Sequence, residues 1–388
     1  MKFAEGLGAT MRREIHRLAS RRVYLWAMVL IPLVMAFFFL NLMEEGLPTK
    51  VPTAIVDLDN SSMSRNLTRS LGSTELVDLS YRADSYHDAM EMVRSGKIYG
   101  FFLIPRDFEA HALAGRTPTL SYYSNMTYFV PGTLSYKGFK TMAVLTSGKV
   151  VETSLTSKGL SKEFAGAMLQ PIVVDTHPIG NPWTNYSIYL SNTFIPGLLE
   201  LMIFLVTCYS ICEEIKRRTS IGWLATARGS LTTALLGKLL PQTVIFTIMG
   251  WGFDALLFGF SDFPCGHLGS MLLAMPLFVM ASQAFAVIVC SAVPNLRLAM
   301  SACSLTGILA FSIAAFSFPV ESMYPSIGIF SYILPVRWYF LIYIDQALNG
   351  IDMYYSRYYY MALVAFILVA CSLAWKLKKR LLNPVYVP

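Results

Sequence analysis

Charge is scarce in this chain. Asp, Glu, Lys and Arg make up 14% of its 388 residues against 55% hydrophobic residues, where a soluble domain carries roughly a quarter charged. With a mean hydropathy of +0.50, that shortage excludes an ordinary soluble domain and points to an integral membrane protein. Histidine is also scarce: His16, His87, His111, His177 and His267 are scattered, with no H-E-x-x-H pair to bind a metal. A G-x-S-x-G elbow is absent, as is a G-x-x-x-x-G-K-[ST] loop; the nearest echo, Gly237-Lys238, lacks both the hydroxyl residue and the earlier glycine. The chain is therefore expected to be no enzyme, with no catalytic residue, metal or cofactor of its own. Lys238 reads as a lysine snorkelling to the cytoplasmic start of a span. Cysteine is missing from 44–189; Cys208, Cys212, Cys265, Cys290, Cys303 and Cys371 all lie in or beside apolar runs. Neither a disulfide framework nor a C-x-x-C metal site is expected from them.

What is present is a set of long apolar runs. The first, 23–43, has no charge and matches the roughly 20 residues a hydrocarbon core requires. "LNLMEEGLP" follows it in place of a small-residue cleavage site, so an uncleaved anchor is expected. A second span falls within 190–212, three more within 239–318 and a sixth at 358–375. The predicted fold class is an integral membrane α-helical protein of six transmembrane helices, with an extracytoplasmic α/β domain inserted after the first.

Basic residues orient the spans, because Lys and Arg near span ends remain in the cytoplasm. Lys2, Arg12, Arg13, Arg17, Arg21 and Arg22 precede span one, and Lys216, Arg217, Arg218, Arg228 and Lys238 stand between spans two and three. Arg297, Lys376, Lys378, Lys379 and Arg380 complete a set opposed only by Glu5, Glu14, Glu213 and Glu214. In 44–189 the two signs nearly balance. Both termini (1–22 and the tail 376–388) and the 213–238 element are therefore predicted cytoplasmic, with 44–189 outside. The net charge of +7 reflects this asymmetry and carries no argument for nucleic acid.

Residues 2–20 place Phe3, Leu7, Met11, Ile15 and Leu18 at three- and four-residue steps opposite Arg12, Arg13 and Arg17, the pattern of an amphipathic helix lying in the interface. In 44–189, strands are expected at "TAIVDLD", "TELVDLSY", "KIYGFFLI" and "TPTLSYYS". Helices alternate with them at "SSMSRNLTRSL", "SYHDAMEMVRSG" and "PRDFEAHALAG". This succession predicts a compact α/β domain, followed by a long helix over 132–170 and a last strand at "PIVVDTHPI". Segment 319–357 is too polar and proline-rich for one span. Its aromatics predict interfacial or re-entrant helices on the outer side.

Two acids fall inside spans. Glu200 has two open readings, a place on a translocation path or a hydrogen bond to a neighbouring helix, and Asp254 reads as an interfacial residue. Between spans two and three, "EEIKRRTSIGWLATARGS" forms a polar, amphipathic knob in which Trp223 and Leu224 read as exposed anchors for a soluble partner, with charges to steer it.

Several motifs in this order resemble the permease subunits of ABC-2 type exporters, in the branch with a large domain between spans one and two. They are the amphipathic N-terminal helix before "IPLVM", then "AIVDLDNSSMSRNL" and "FFLIPRDFEAHALAG", the acidic turn before "GKLLP", and "LPVRWYF" before the last span. That family's loop usually reads acidic, Gly-Thr, Leu-Leu, Pro. Here Thr219-Ser220, Trp223-Leu224 and Ala227-Arg228 stand in those places, a departure that leaves the contact residues open. The resemblance implies a half-transporter in the bacterial inner membrane that exports a hydrophobic or amphiphilic substrate. It implies pairing with a second copy and with a separate ATP-binding subunit that holds ATP and Mg, and it admits a periplasmic adaptor. ATPase coupling is carried over to Glu213, Glu214, Lys216, Arg217, Arg218, Thr219, Trp223, Leu224 and Arg228. The residues alone leave two alternatives open, a membrane-anchored sensor whose outer domain binds a ligand and a secondary transporter using Glu200 and Asp254.

Overall fold

A computed structural model describes residues 2–42, 46, 49–114, 116, 118–157, 161, 181, 185–261, 263–316 and 318–384. The expected strand at "PIVVDTHPI" and the end of the long helix lie outside the described residues. The chain divides into two compact units, 47–177 and the remainder.

The smaller unit is a four-stranded sheet. Its strands are β1 (Val51–Asp57), β2 (Val77–Arg82), β3 (Gly100–Ile104) and β4 (Ser121–Ser124), in the order β2-β1-β3-β4. β1 runs parallel to β2 and β3, and β4 closes the edge antiparallel to β3. The side-chain period of two sends Ala54 and Val56 to one face and Ile55 to the other.

Helix α3 (Ser62–Gly72) connects β1 to β2 and α4 (Tyr86–Arg94) connects β2 to β3, with Ser61 and Ser85 accepting the N-cap hydrogen bonds. Leu67 and Leu71 of α3 pack on the Ile55 face with Phe102, while Ala89 of α4 packs on the opposite face with Phe101. The short helix α5 (Phe108–Leu113) starts from Asp107 in the left-handed region. Its first N–H groups are received by a distant carboxylate: Asp59 accepts from the backbone N–H of Phe108 at 2.9 Å and of Glu109 at 3.1 Å. Burial opposes ionisation of Asp59, but the Ser61 hydroxyl and the N–H groups of Glu109, Phe108 and Asp107 outweigh it and hold its pKa below the ordinary carboxylate value. The long helix α6 (Phe129–Ser157) brings Phe139 and Met142 onto the Ile55 face.

In the larger unit, α1 (Lys2–Ser20) precedes six helices long and apolar enough to cross a membrane. These are α2 (Arg22–Leu42), α7 (Tyr186–Lys216), α9 (Leu231–Phe260), α10 (Leu268–Ala292), α11 (Leu296–Ile313) and α14 (Met353–Leu382). Between α7 and α9 lies the short α8 (Ser220–Thr226). Between α11 and α14, α12 (Pro325–Ser331) and α13 (Pro335–Leu348) meet at a bend of 80°. α7 and α10 form the centre of the bundle, with 67% and 56% of their apolar windows buried; in the other spans the share is 22–33%. That leaves most of their apolar surface for lipid or another subunit.

Several spanning helices outrun their apolar stretches. α7 extends through Glu213 and Glu214 to Lys216, and α9 begins seven residues before Lys238, at Leu231. Apolar length reports the thickness of the hydrocarbon, whereas the helix stops where its backbone bonding stops, so the 213–238 element largely consists of the ends of two spans.

Candidate functional site

The last turn of α7 carries Glu213 and Glu214, where the helix dipole favours cations and opposes acids. Cations from other elements surround both. Arg13 of α1 grips Glu214 with two nitrogens, at 2.8 and 3.0 Å. Arg17 bonds both carboxylates, and Arg21 bonds Glu213. Arg217 reaches back one turn to Glu213 at 2.8 Å. From α9, Lys238 places its ammonium 3.0 Å from Glu214 and 2.9 Å from Glu14.

Neutral groups complete the layer. Tyr209 donates to Glu213 at 3.1 Å, Gln242 donates to Glu14 at 3.1 Å, and Thr219 donates to Glu214. Glu14, Glu213 and Glu214 thus face Arg13, Arg17, Arg21, Arg217 and Lys238, which leaves two positive charges in excess. Burial works against the Arg17 charge. The Tyr24 hydroxyl and the carboxylates of Glu214, Glu14 and Glu213 more than offset it and hold the Arg17 pKa above the ordinary guanidinium value.

Helix α1 presents its polar side to this layer. Gly6, Thr10, Glu14 and Leu18 form its buried ridge at four-residue steps, while Phe3 and Ile15 are exposed on its apolar face. The helix approaches α9 so closely that a Cβ on Gly237 would meet Thr10 at 2.6 Å. That contact explains the Gly-Lys pair better than a degenerate phosphate loop does: the glycine lets α1 in, and the lysine meets it.

Two expectations are corrected. Lys238 does not snorkel; it is fully buried, because Glu14, Glu214 and the Trp223 ring 4.5 Å away replace its water. Trp223 and Leu224 are not exposed anchors. At 0% and 3% exposure they pack with Phe204, Ile211, Ile215 and Leu377, because α8 turns its apolar side into the bundle. Asp254 is buried in α9 and accepts from the Tyr339 hydroxyl at 3.4 Å.

The exposed residues of the loop include Lys216, Arg217, Arg218, Thr219, Ile221 and Arg228; Arg228 pairs with Glu5 of α1. Ile221, an aliphatic side chain 55% exposed beside these cations, was not singled out from the sequence. Arg13, Glu14, Arg17, Tyr209 and Gln242 were also missed as members of the layer. An acid alone on a basic helix face, Glu14, was the one available signal. Ser220 ties α8 to the end of α14 through the Leu381 carbonyl at 2.7 Å.

Glu200 lies on α7 about 20 Å from Glu213 at 1.5 Å per residue. Fully buried, it accepts the Val336 N–H at 2.8 Å, in the first turn of α13. The hydrogen bond to a neighbouring helix is thus in place. Among the described residues neither Glu200 nor Asp254 forms an ion pair.

Six spans, an inserted α/β unit and an ion-paired layer at one end frame the comparison with known proteins. Residues 22–376 match the family model described as ABC-2 family transporter protein. The chain belongs to the ABC-2 transporter family. No curated protein matches it. Membership makes this ABC-2 chain a membrane transport component, and the family works in general with an ATP-binding subunit. The match takes in the inserted α/β unit, α7 and α8, and ends within α14, so it spans the elements that build the layer except α1.

Proposed function

We propose that the chain is the membrane-spanning half of an ATP-driven exporter in a bacterial inner membrane. Two copies surround the path of a hydrophobic or amphiphilic substrate, and a separate ATP-binding subunit, holding ATP and Mg, docks at the end where α1, α7, α8 and α9 meet. The observation that carries this reading is the buried ionic layer tying α1, α7 and α9 together, with Trp223 of α8 against Lys238, beneath an exposed rim of Lys216, Arg217, Arg218, Ile221 and Arg228. Positive charge concentrated there supports a cytoplasmic location for that end, with 44–189 and the α12–α13 bend outside.

The rim touches the ATPase and the interior transmits. Ile221 supplies an apolar contact and the cations steer the partner. Because Trp223 and Leu224 lie on the buried side of α8, movement of that helix shifts α7, α9 and α14 together. Glu213 and Glu214 keep α1 attached to the moving body. ATP does work because the partner's closed, nucleotide-bound form has a different affinity for the two arrangements of the spans.

The test is to isolate the tagged chain from its native membrane in mild detergent, identify co-purifying proteins by mass spectrometry and measure ATP hydrolysis. A P-loop ATPase is expected to accompany the wild type, to be lost with Ile221→Glu, and to remain bound but uncoupled with Trp223→Ala. Absence of any ATPase after gentle crosslinking would sink the reading. Orientation is checked by labelling single cysteines placed at Ser95 and Arg218 from either side of sealed vesicles; labelling of both from the same side refutes it.

A further inference from the structure

The structure brings together cysteines that look unrelated in sequence. Cys208 and Cys212 stand one turn apart on the same face of α7. Their thiols and that of Cys290, from α10, all lie within 4.8 Å of one another. Cys303 of α11 lies beside Cys208, outside that group of three. All four are fully buried.

We propose that these thiols form a binding site for a thiophilic metal ion, zinc in the first instance. Cys208, Cys212 and Cys290 act as ligands, and Cys303 is placed to become the fourth. Sulfurs around a tetrahedral zinc, at Zn–S about 2.3 Å, lie about 3.8 Å apart. Cys212 and Cys290 already stand 3.6 Å apart. The soft, all-sulfur set selects zinc or another d10 ion over magnesium or calcium.

Charge and access both favour the site. A divalent ion with three or four thiolates carries a net negative charge, since each coordinated thiol gives its proton to solvent. That charge sits one residue from Glu213, beside the layer with two positive charges in excess. Access from water is short: Cys290 lies two residues before the end of α10, and Cys212 one turn before the end of α7. With Cys303 recruited as the fourth ligand no position is left open, and the ion is structural. It staples α7, α10 and α11 together at the end where α8 pushes, which the ion pairs do not do, since none of them reaches α10 or α11.

The competing view is that these cysteines are merely small apolar side chains filling a core. To decide, the full chain is produced with a histidine-free tag and purified in mild detergent without chelator. Metal content is measured by inductively coupled plasma mass spectrometry, and metal-stripped protein is titrated with cobalt(II). One zinc per chain and a sulfur-to-cobalt charge-transfer band are expected. Both should vanish in Cys212→Ala and Cys290→Ala and persist in Cys265→Ala and Cys371→Ala. Metal-free wild type that is monodisperse and gives no cobalt band overturns the proposal, whatever the variants do. So does a Cys290→Ala protein with the full zinc content, or a Cys212–Cys290 disulfide in the native membrane. Because the readouts are metal content and a spectrum, failure here leaves the ATPase partnership untouched.

Discussion

The bundle contains two buried acidic layers, and they are solved in opposite ways. Near one end, Glu14, Glu213 and Glu214 are enclosed by cations from three elements. Deeper in the bundle, Glu200 at the middle of α7 meets one backbone N–H and Asp254 of α9 one tyrosine hydroxyl. Taking a carboxylate out of water costs several kcal/mol either way. The first layer offsets that cost with opposite charge, and in doing so binds together helices distant in sequence. The second offsets it with single hydrogen bonds and positions one helix start. A charged layer resists separation of its parts, whereas a singly bonded carboxyl is a local fastening.

Removing one acid from the charged layer tests the contrast most severely. Glu214→Ala strands Arg13, leaves Lys238 with Glu14 alone and is expected to cost about 3–5 kcal/mol, read as a lower melting temperature in detergent. If the loss is under about 1 kcal/mol, water or anions substitute freely and the layer is no clamp. Trp223→Ala should fall in the same range, about 3–5 kcal/mol, from the cavity it opens. Trp223→Phe should recover most of that; equal loss in both would assign the effect to the indole and its cation contact instead of to packing.

Pairing is sharpened by a double-mutant cycle. Glu14→Gln and Lys238→Met together should cost less than the sum of the single changes, because the double variant leaves neither charge buried alone. In the second layer the expected effects are smaller. Glu200→Gln keeps an acceptor for Val336 and should change stability by less than about 1 kcal/mol, while Glu200→Ala leaves that N–H unpaired at about 1–3 kcal/mol. A loss from Glu200→Gln as large as that from Glu214→Ala would erase the distinction.

The smallest expected effect lies in the α/β unit. Because the folded pKa of Asp59 is depressed, its contribution is present at neutral pH and disappears as pH falls below the ordinary carboxylate value and through the folded one. Asp59→Asn should flatten that acid limb of the stability curve; an unchanged limb would show that Asp59 does not cap α5 in solution.

The sequence revealed more of the scaffold than of the site. Six apolar runs led to six spanning helices, since a bilayer imposes a length that composition can match. The amphipathic pattern of α1 was also visible. What the helix faces was not: its arginines find acids about 200 positions away, and one sequence carries no sign of such pairings. Trp223 was misread for a related reason. A tryptophan among charges looks exposed, yet the charges flank α8 at 216–218 and 228, and the helix itself buries Trp223 and Leu224 while it exposes Ile221, Gly222 and Ala225. Lys238 looked like an edge residue because α9 was taken to begin at the apolar run. The cysteines were dismissed on spacing alone, and only packing brings Cys290 to Cys208 and Cys212.

Glu200 and Glu213–Glu214 share one helix. From Gly197, after the interruption at Pro196, α7 continues to Lys216 without another proline, a beam of about 30 Å at 1.5 Å per residue. An unbroken helix of that length hardly bends, so it works as a crank. On the proposed function, a rotation imposed where the arginines hold it would arrive at the start of α13, about 20 Å along the helix, without any intermediate residue having to change its conformation.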